Sequence, residues 1–82
     1  QIRRLLERVF RVLRDLADEL LEEALDAAEE AAQTVLREGR PVALAPQTGP
    51  VRQQQHQVAL RHHLHAEDEG SEPLRHLVVL PG

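Results

Sequence analysis

The chain has no cysteine, no lysine and, histidine aside, a single aromatic ring, Phe10. Without thiols there is no disulfide framework, no thiolate metal site and no thiol nucleophile. Without lysine there is no Schiff-base amine, no phosphate-loop lysine and no Glu-x-Lys nuclease triplet. With one phenyl ring the chain lacks the platforms on which single-strand nucleic-acid binders stack bases, which argues against that mode. Hydroxyl nucleophiles are scarce as well: Thr34, Thr48 and Ser71 stand outside any Gly-x-Ser-x-Gly setting, and no His-Glu-x-x-His occurs. No uncharged apolar run approaches the ~18 residues of a membrane span, and no charged-then-apolar leader is visible. A cytoplasmic location is the expectation. Gln1 in place of methionine implies processing or a piece of a longer chain.

What is present is helix-forming. All ten basic residues are arginine, and with fourteen acids they leave a net charge of −4. That balance makes the whole chain no phosphate-seeking surface. Eighty-two residues allow one small domain at most, and a chain of that size buries only about 60–65% of its unfolded surface. Residues 1–38 contain no Gly or Pro, and Ile2, Leu5, Val9, Leu13, Leu16 and Leu20 step by three or four. That spacing predicts one long amphipathic helix. The stripe continues through Ala24, Ala28, Ala31 and Val35, so its character changes from large to small side chains. Over its full length the period drifts toward eleven residues per three turns, which predicts straight or slightly right-handed packing. Gly39 suits a left-handed cap and Pro41 forbids continuation. At about 1.5 Å per residue the rod is about 55 Å long, too long for a small body to cover.

Charge divides along this rod. Residues 1–14 carry five arginines and one glutamate, and residues 15–38 carry one arginine and nine acids. Basic charge at a helix N-terminus opposes the macrodipole. Either the helix continues upstream, or its basic end docks on an acidic surface such as the second half of an antiparallel copy. Local i,i+4 pairs such as Glu7–Arg11 and Arg14–Asp18 offer a third neutralisation, worth about 0.2–0.5 kcal/mol each.

The rest of the chain changes period. Residues 39–49 read as a linker with a short extended segment at 42–45, bounded by Pro41 and Pro46. Pro50 suits the first turn of a second helix, capped by Thr48 or Gly49 and running to about Ala66. Residues 67–73 are an acidic, turn-rich break. Residues 74–80 end in the apolar run Leu77-Val78-Val79-Leu80, a strand signal. Pairing that strand in parallel with 42–45, across the second helix, gives the expected fold class: an α-rich α/β fold, with the long N-terminal helix followed by a small β-α-β unit. The expected segments are 1–38, 39–49 and 50–82.

Four of five histidines and Gln53, Gln54, Gln55 and Gln57 crowd the second helix. On a helix reaching residue 69, His62, His65 and Glu69 at i, i+3 and i+7 form a candidate site for a divalent transition metal with an open position. A solvated polar face is the plainer alternative, and amides spread around the helix must mostly face water.

Gly49-Pro50-Val51-Arg52-Gln53, then His56, Leu60 and Leu64, then the strand Leu77-Val78-Val79-Leu80, resemble the last third of the nuclease-related domain family, whose fold is restriction-endonuclease-like. The resemblance covers residues 49–82. It implies that Gln53 lines a site and that the chain is the C-terminal part, or a degenerate copy, of a DNA-processing domain.

Three functions follow. The first is a non-enzymatic module that oligomerises or binds a partner helix. Its seam is Leu5, Val9, Leu13, Leu16 and Leu20, with Arg4, Arg8 and Arg11 steering charge. The second is the nuclease-related piece, the one reading that brings nucleic acid as a partner. The third is the histidine metal module.

Overall fold

In the computed structural model, which describes residues 2–82, helix α1 runs unbroken from Ile2 to Glu38. Its 37 residues account for the longest dimension of the molecule, 56 Å. It stops as the sequence predicts: Gly39 takes φ +69° and its N–H donates to the Val35 carbonyl at 2.8 Å. This is a left-handed cap that a Cβ would strain. Among the described residues no helix is long and apolar enough to cross a membrane.

Strand β1 (Val42–Ala43), helix α2 (Gly49–Arg61) and strands β2 (His65–Glu69) and β3 (His76–Leu80) follow in order. The sheet is ordered β1-β3-β2, and β3 is antiparallel to both neighbours. The fold class therefore stands, an α-rich α/β fold with a β-α-β unit after the long helix. The sense of one pairing differs from expectation. The parallel strands joined by α2 are β1 and β2, and β3 inserts between them. A tight turn at residues 70–75 returns the chain from β2, and a short return of that kind makes an antiparallel hairpin.

The reason lies at the end of α2, five residues earlier than predicted. His62 is the cap, and His63 takes φ +60°. His63 N–H donates to Leu60 O at 2.9 Å and Leu64 N–H to Ala59 O at 3.0 Å. These two bonds are the Schellman pattern, with Leu64 packing into the same core as Ala59. Glycine usually holds the left-handed position, so a histidine there conceals the stop. His63→Gly removes the Cβ penalty of that conformation, and the expected result is a gain of about 0.5–1 kcal/mol. A thermal melt should rise by roughly 3–6 °C; an unchanged or lower midpoint refutes the cap reading.

The core is small-residue helix against apolar strand. Ala28, Ala31, Ala32 and Val35 of α1 meet Val58 and Ala59 of α2, with Leu77 and Val79 of β3 beneath and Leu44 and Leu64 closing the sides. Alanine lets the two helices approach closely. Val78 faces the other side of the sheet, between its cross-strand neighbours Ala43 and Glu67. Burial on α1 begins at Ala24. Every residue from 2 to 20 is exposed.

Candidate functional site

The second strand decides the site. His-Ala-Glu-Asp-Glu has little intrinsic strand preference, but pairing with β3 holds it. Ala66 lies opposite Val79 and Asp68 opposite Leu77. Strand alternation puts Ala66 and Asp68 on the helix-facing side. Ala66 packs on the core there, and Asp68 meets Arg52.

Arg52 sits in the first turn of α2 and is only 7% exposed. Its Nη1 donates to the Gln47 carbonyl at 2.7 Å and lies 3.1 Å from Glu72 Oε1. Its Nε is 3.5 Å from Asp68 Oδ1 and has no hydrogen-bond partner of its own. Arg75 approaches the other Asp68 oxygen, Oδ2, at 3.7 Å. One guanidinium thus ties the start of α2 to the preceding loop, to β2 and to the β2–β3 turn. A rigid planar fork does this where a point-charge ammonium would not.

Beside this clamp is a cavity of about 320 Å³, lined by Gly49, Arg52, Gln53, His56, Gln57 and Asp68. A Cβ at Gly49 would stand 3.7 Å from Arg52 Nη2, an ordinary contact. His56 lies one helical turn beyond Arg52 and is half-buried, while Gln53 and Gln57 are exposed. Spacing of four residues aligns each pair on one face. The N-terminus of α2 has no acid in its first turn, and the Thr48 side chain makes no cap bond. Pro50 has no N–H and the Arg52 N–H donates to Thr48 O at 2.9 Å, so the first turn has the Gly49 and Val51 N–H groups to donate to a ligand. A further amide of α2, that of Gln55, is turned away from the cavity. It is 1% exposed, and its Nε2 donates to Ala24 O of α1 at 2.9 Å.

The proposed metal triad does not assemble. It requires helix through residue 69, and α2 ends at Arg61. His62 caps the helix and its Nε2 hydrogen-bonds Glu29 Oε2 of α1 at 2.7 Å. His65 opens β2 opposite Leu80, and Glu69 closes it opposite His76. Among the described residues no group of three His, Asp or Glu side chains is placed to hold an ion. The seam residues Leu5, Val9, Leu13, Leu16 and Leu20 all lie exposed on the free half of α1, remote from the cavity. Arg4, Arg8 and Arg11 are exposed there too. Spacing of about 100° per residue sets them on the face away from the leucines.

A helix is thus clamped through a buried arginine to a three-stranded antiparallel sheet, with a polar cleft along its exposed side. The family model for the R3H domain matches residues 22–81, and the chain belongs to that family. A comparison with curated proteins found no match. The match overturns the nuclease-related resemblance of residues 49–82, and with it the role of Gln53 as a nuclease site residue. The Pro-x-x-Gln opening and apolar strand that carried the likeness are short features that any capped helix and central strand can share. The match begins at Glu22, close to the point where the body starts to cover α1. Arg52 and His56, the pair at the centre of the cleft, stand in the stretch that resembles the nuclease-related family, but nothing in the sequence assigns either of them to a site. Their four-residue spacing was visible, but the strand bringing Asp68 to Arg52 was not.

Proposed function

We propose that this chain binds single-stranded nucleic acid in the cleft along α2. Two things support the reading: membership in the R3H family, which points to nucleic-acid binding, and the arrangement of Arg52 and His56. The observation that carries it is that arrangement, a fixed guanidinium and a half-buried imidazole one turn apart over a cavity rimmed by two free amides. Nucleic acid is the partner this reading implies, with no nuclease chemistry.

The chemistry divides by residue. His56 offers a flat ring on which a base stacks. Gln53 and Gln57 offer donors and acceptors to base edges. The open N-terminus of α2, with Arg52 Nη2 beside it, suits a backbone phosphate. The scarcity of Phe, Tyr and Trp remains a real restriction, so few bases stack and affinity is modest. Arg52 is already balanced by Asp68 and Glu72. Few phosphates are neutralised, and the salt dependence is shallow, with a log–log slope of about −0.7 per contact.

Fluorescence anisotropy with labelled single-stranded DNA and RNA tests this. His56→Ala should weaken binding about tenfold, near the low end of the stacking range. His56→Phe should keep most of the affinity, because it keeps the ring face. Equal affinity in the His56→Ala protein, or binding that depends on Arg4, Arg8 and Arg11 instead, refutes the cleft.

A further inference from the structure

The first half of α1 lies outside both the packed body and the matched family region. Its nine large apolar side chains between Ile2 and Leu20 are 49–76% exposed. We propose that this segment is a self-association element: two copies of the chain pair through it as an antiparallel two-helix coil, with the dyad at Arg11.

The pattern of residues 2–20 supports this. Ile2, Leu6, Val9, Leu13, Leu16 and Leu20 step 4-3-4-3-4, a heptad seam that winds left-handed. The eleven-residue drift seen over the whole helix arises only when the core-facing alanines are included. The free segment also reads the same in both directions. Reversed about residue 11, Ile2 falls level with Leu20, Leu6 with Leu16 and Val9 with Leu13. Leu5 falls level with Ala17, and Phe10 with Val12. Along the seam every apolar position meets an apolar position, as a two-fold interface with identical surfaces requires, and beside it Phe10 nears its own copy on one side and Val12 its own copy on the other.

Charge selects the direction. Antiparallel pairing sets the basic end at Arg3 and Arg4 at the axial level of Asp18 and Glu19 of the second copy, an attraction between helix ends of opposite charge rather than a side-chain contact, since these residues lie off the seam. Parallel pairing would stack the arginine-rich residues 3–14 on themselves. Near the dyad of the antiparallel arrangement Arg11 falls level with itself and Arg8 with Arg14, but on the outer side of the helices, where water screens them. The overlap spans only residues 2–20, so it ends where each body begins to cover its own helix near Ala24. A face of this kind buries on the order of 1,000 Å² in total, the lower bound for a specific interface. A reversible dimer is therefore expected, not a permanent one.

Sedimentation of the whole chain over a wide concentration range should show a monomer–dimer equilibrium. Leu13→Asp should abolish it by placing an unpaired charge in the seam. Because the chain lacks cysteine, Arg3→Cys and Glu19→Cys each give one labelling site. Spin labels at position 3 in both copies should lie about 25 Å apart along the axis, at about 1.5 Å per residue. A mixture labelled at 3 in one copy and 19 in the other should give a short distance. A monomer at every concentration overturns the proposal and leaves the face to a different protein. A dimer with the two position-3 labels close together overturns it as well, in favour of parallel pairing. His56→Ala serves as the control, since a failure of the cleft reading leaves the dimer mass unchanged.

Discussion

Replacing Arg52 by alanine should cost about 2–3 kcal/mol and lower the melting midpoint by roughly 10–20 °C. Removing one partner of a buried ion pair ordinarily costs about 3–5 kcal/mol, because the other charge is stranded. Here the remaining partners are partly rehydrated: the side chains of Asp68 and Glu72 are 35% and 62% exposed. Solvent around these carboxylates lowers the cost accordingly. What stays is the lost bond to Gln47 O, the emptied space under α2 and the released β2–β3 turn. Arg52→Lys should recover little, since an ammonium cannot serve Gln47 O, Glu72 and Asp68 from one planar head. Asp68→Asn with Glu72→Gln should come near the alanine effect, because that double change leaves the guanidinium buried and unpaired. Melts and urea titrations of these four proteins measure the coupling. An Arg52→Ala protein as stable as the parent would remove the clamp from the account of both fold and cleft.

Leu77→Ala should destabilise by about 3 kcal/mol, within the 2–5 range for a leucine lost from a packed core. Leu77 is 1% exposed, lies on the central strand and packs beneath both helices. Its neighbours Ala28, Ala31 and Ala32 are too short to move into the gap. A body of about 60 residues is expected to be stable by only about 3–9 kcal/mol, so at the lower end of that range the Leu77→Ala protein should be partly unfolded at room temperature. Leu74→Ala, three residues earlier, is the comparison. Leu74 is 69% exposed in the turn, and the expected change is within 0.5 kcal/mol. Urea unfolding separates the two; similar midpoints would mean that β3 is not the centre of the core.

The long helix was legible because its evidence is local. An unbroken run of helix formers, a repeating stripe and the Gly39–Pro41 stop act within a turn or two of each other. The β3 apolar run and the Pro50 opening were legible for the same reason. The end of α2 was not, since His63 does the work that glycine normally advertises. That single concealed cap carried the prediction past Arg61, turned β2 into helix and acidic loop, and made His62, His65 and Glu69 look like one face. With β2 unseen, Asp68 had no path to Arg52, and the cleft had no floor. The nuclease likeness filled the gap with features that are common to many helix–strand junctions.

Residue order alone therefore determined the rod, its amphipathic stripe, its division into basic and acidic halves, and the absence of thiol and lysine chemistry. These depend on period and composition, which a chain carries before it folds. Tertiary structure decided which part of the stripe is core and which is free, since nothing in the spacing distinguishes the face at Leu13 from the face at Ala28. It also decided the strand order and the burial of Arg52. Those depend on what one segment meets from across the chain, and a strand as polar as His65–Glu69 exists only because β3 supplies the hydrogen bonds that its own residues do not favour.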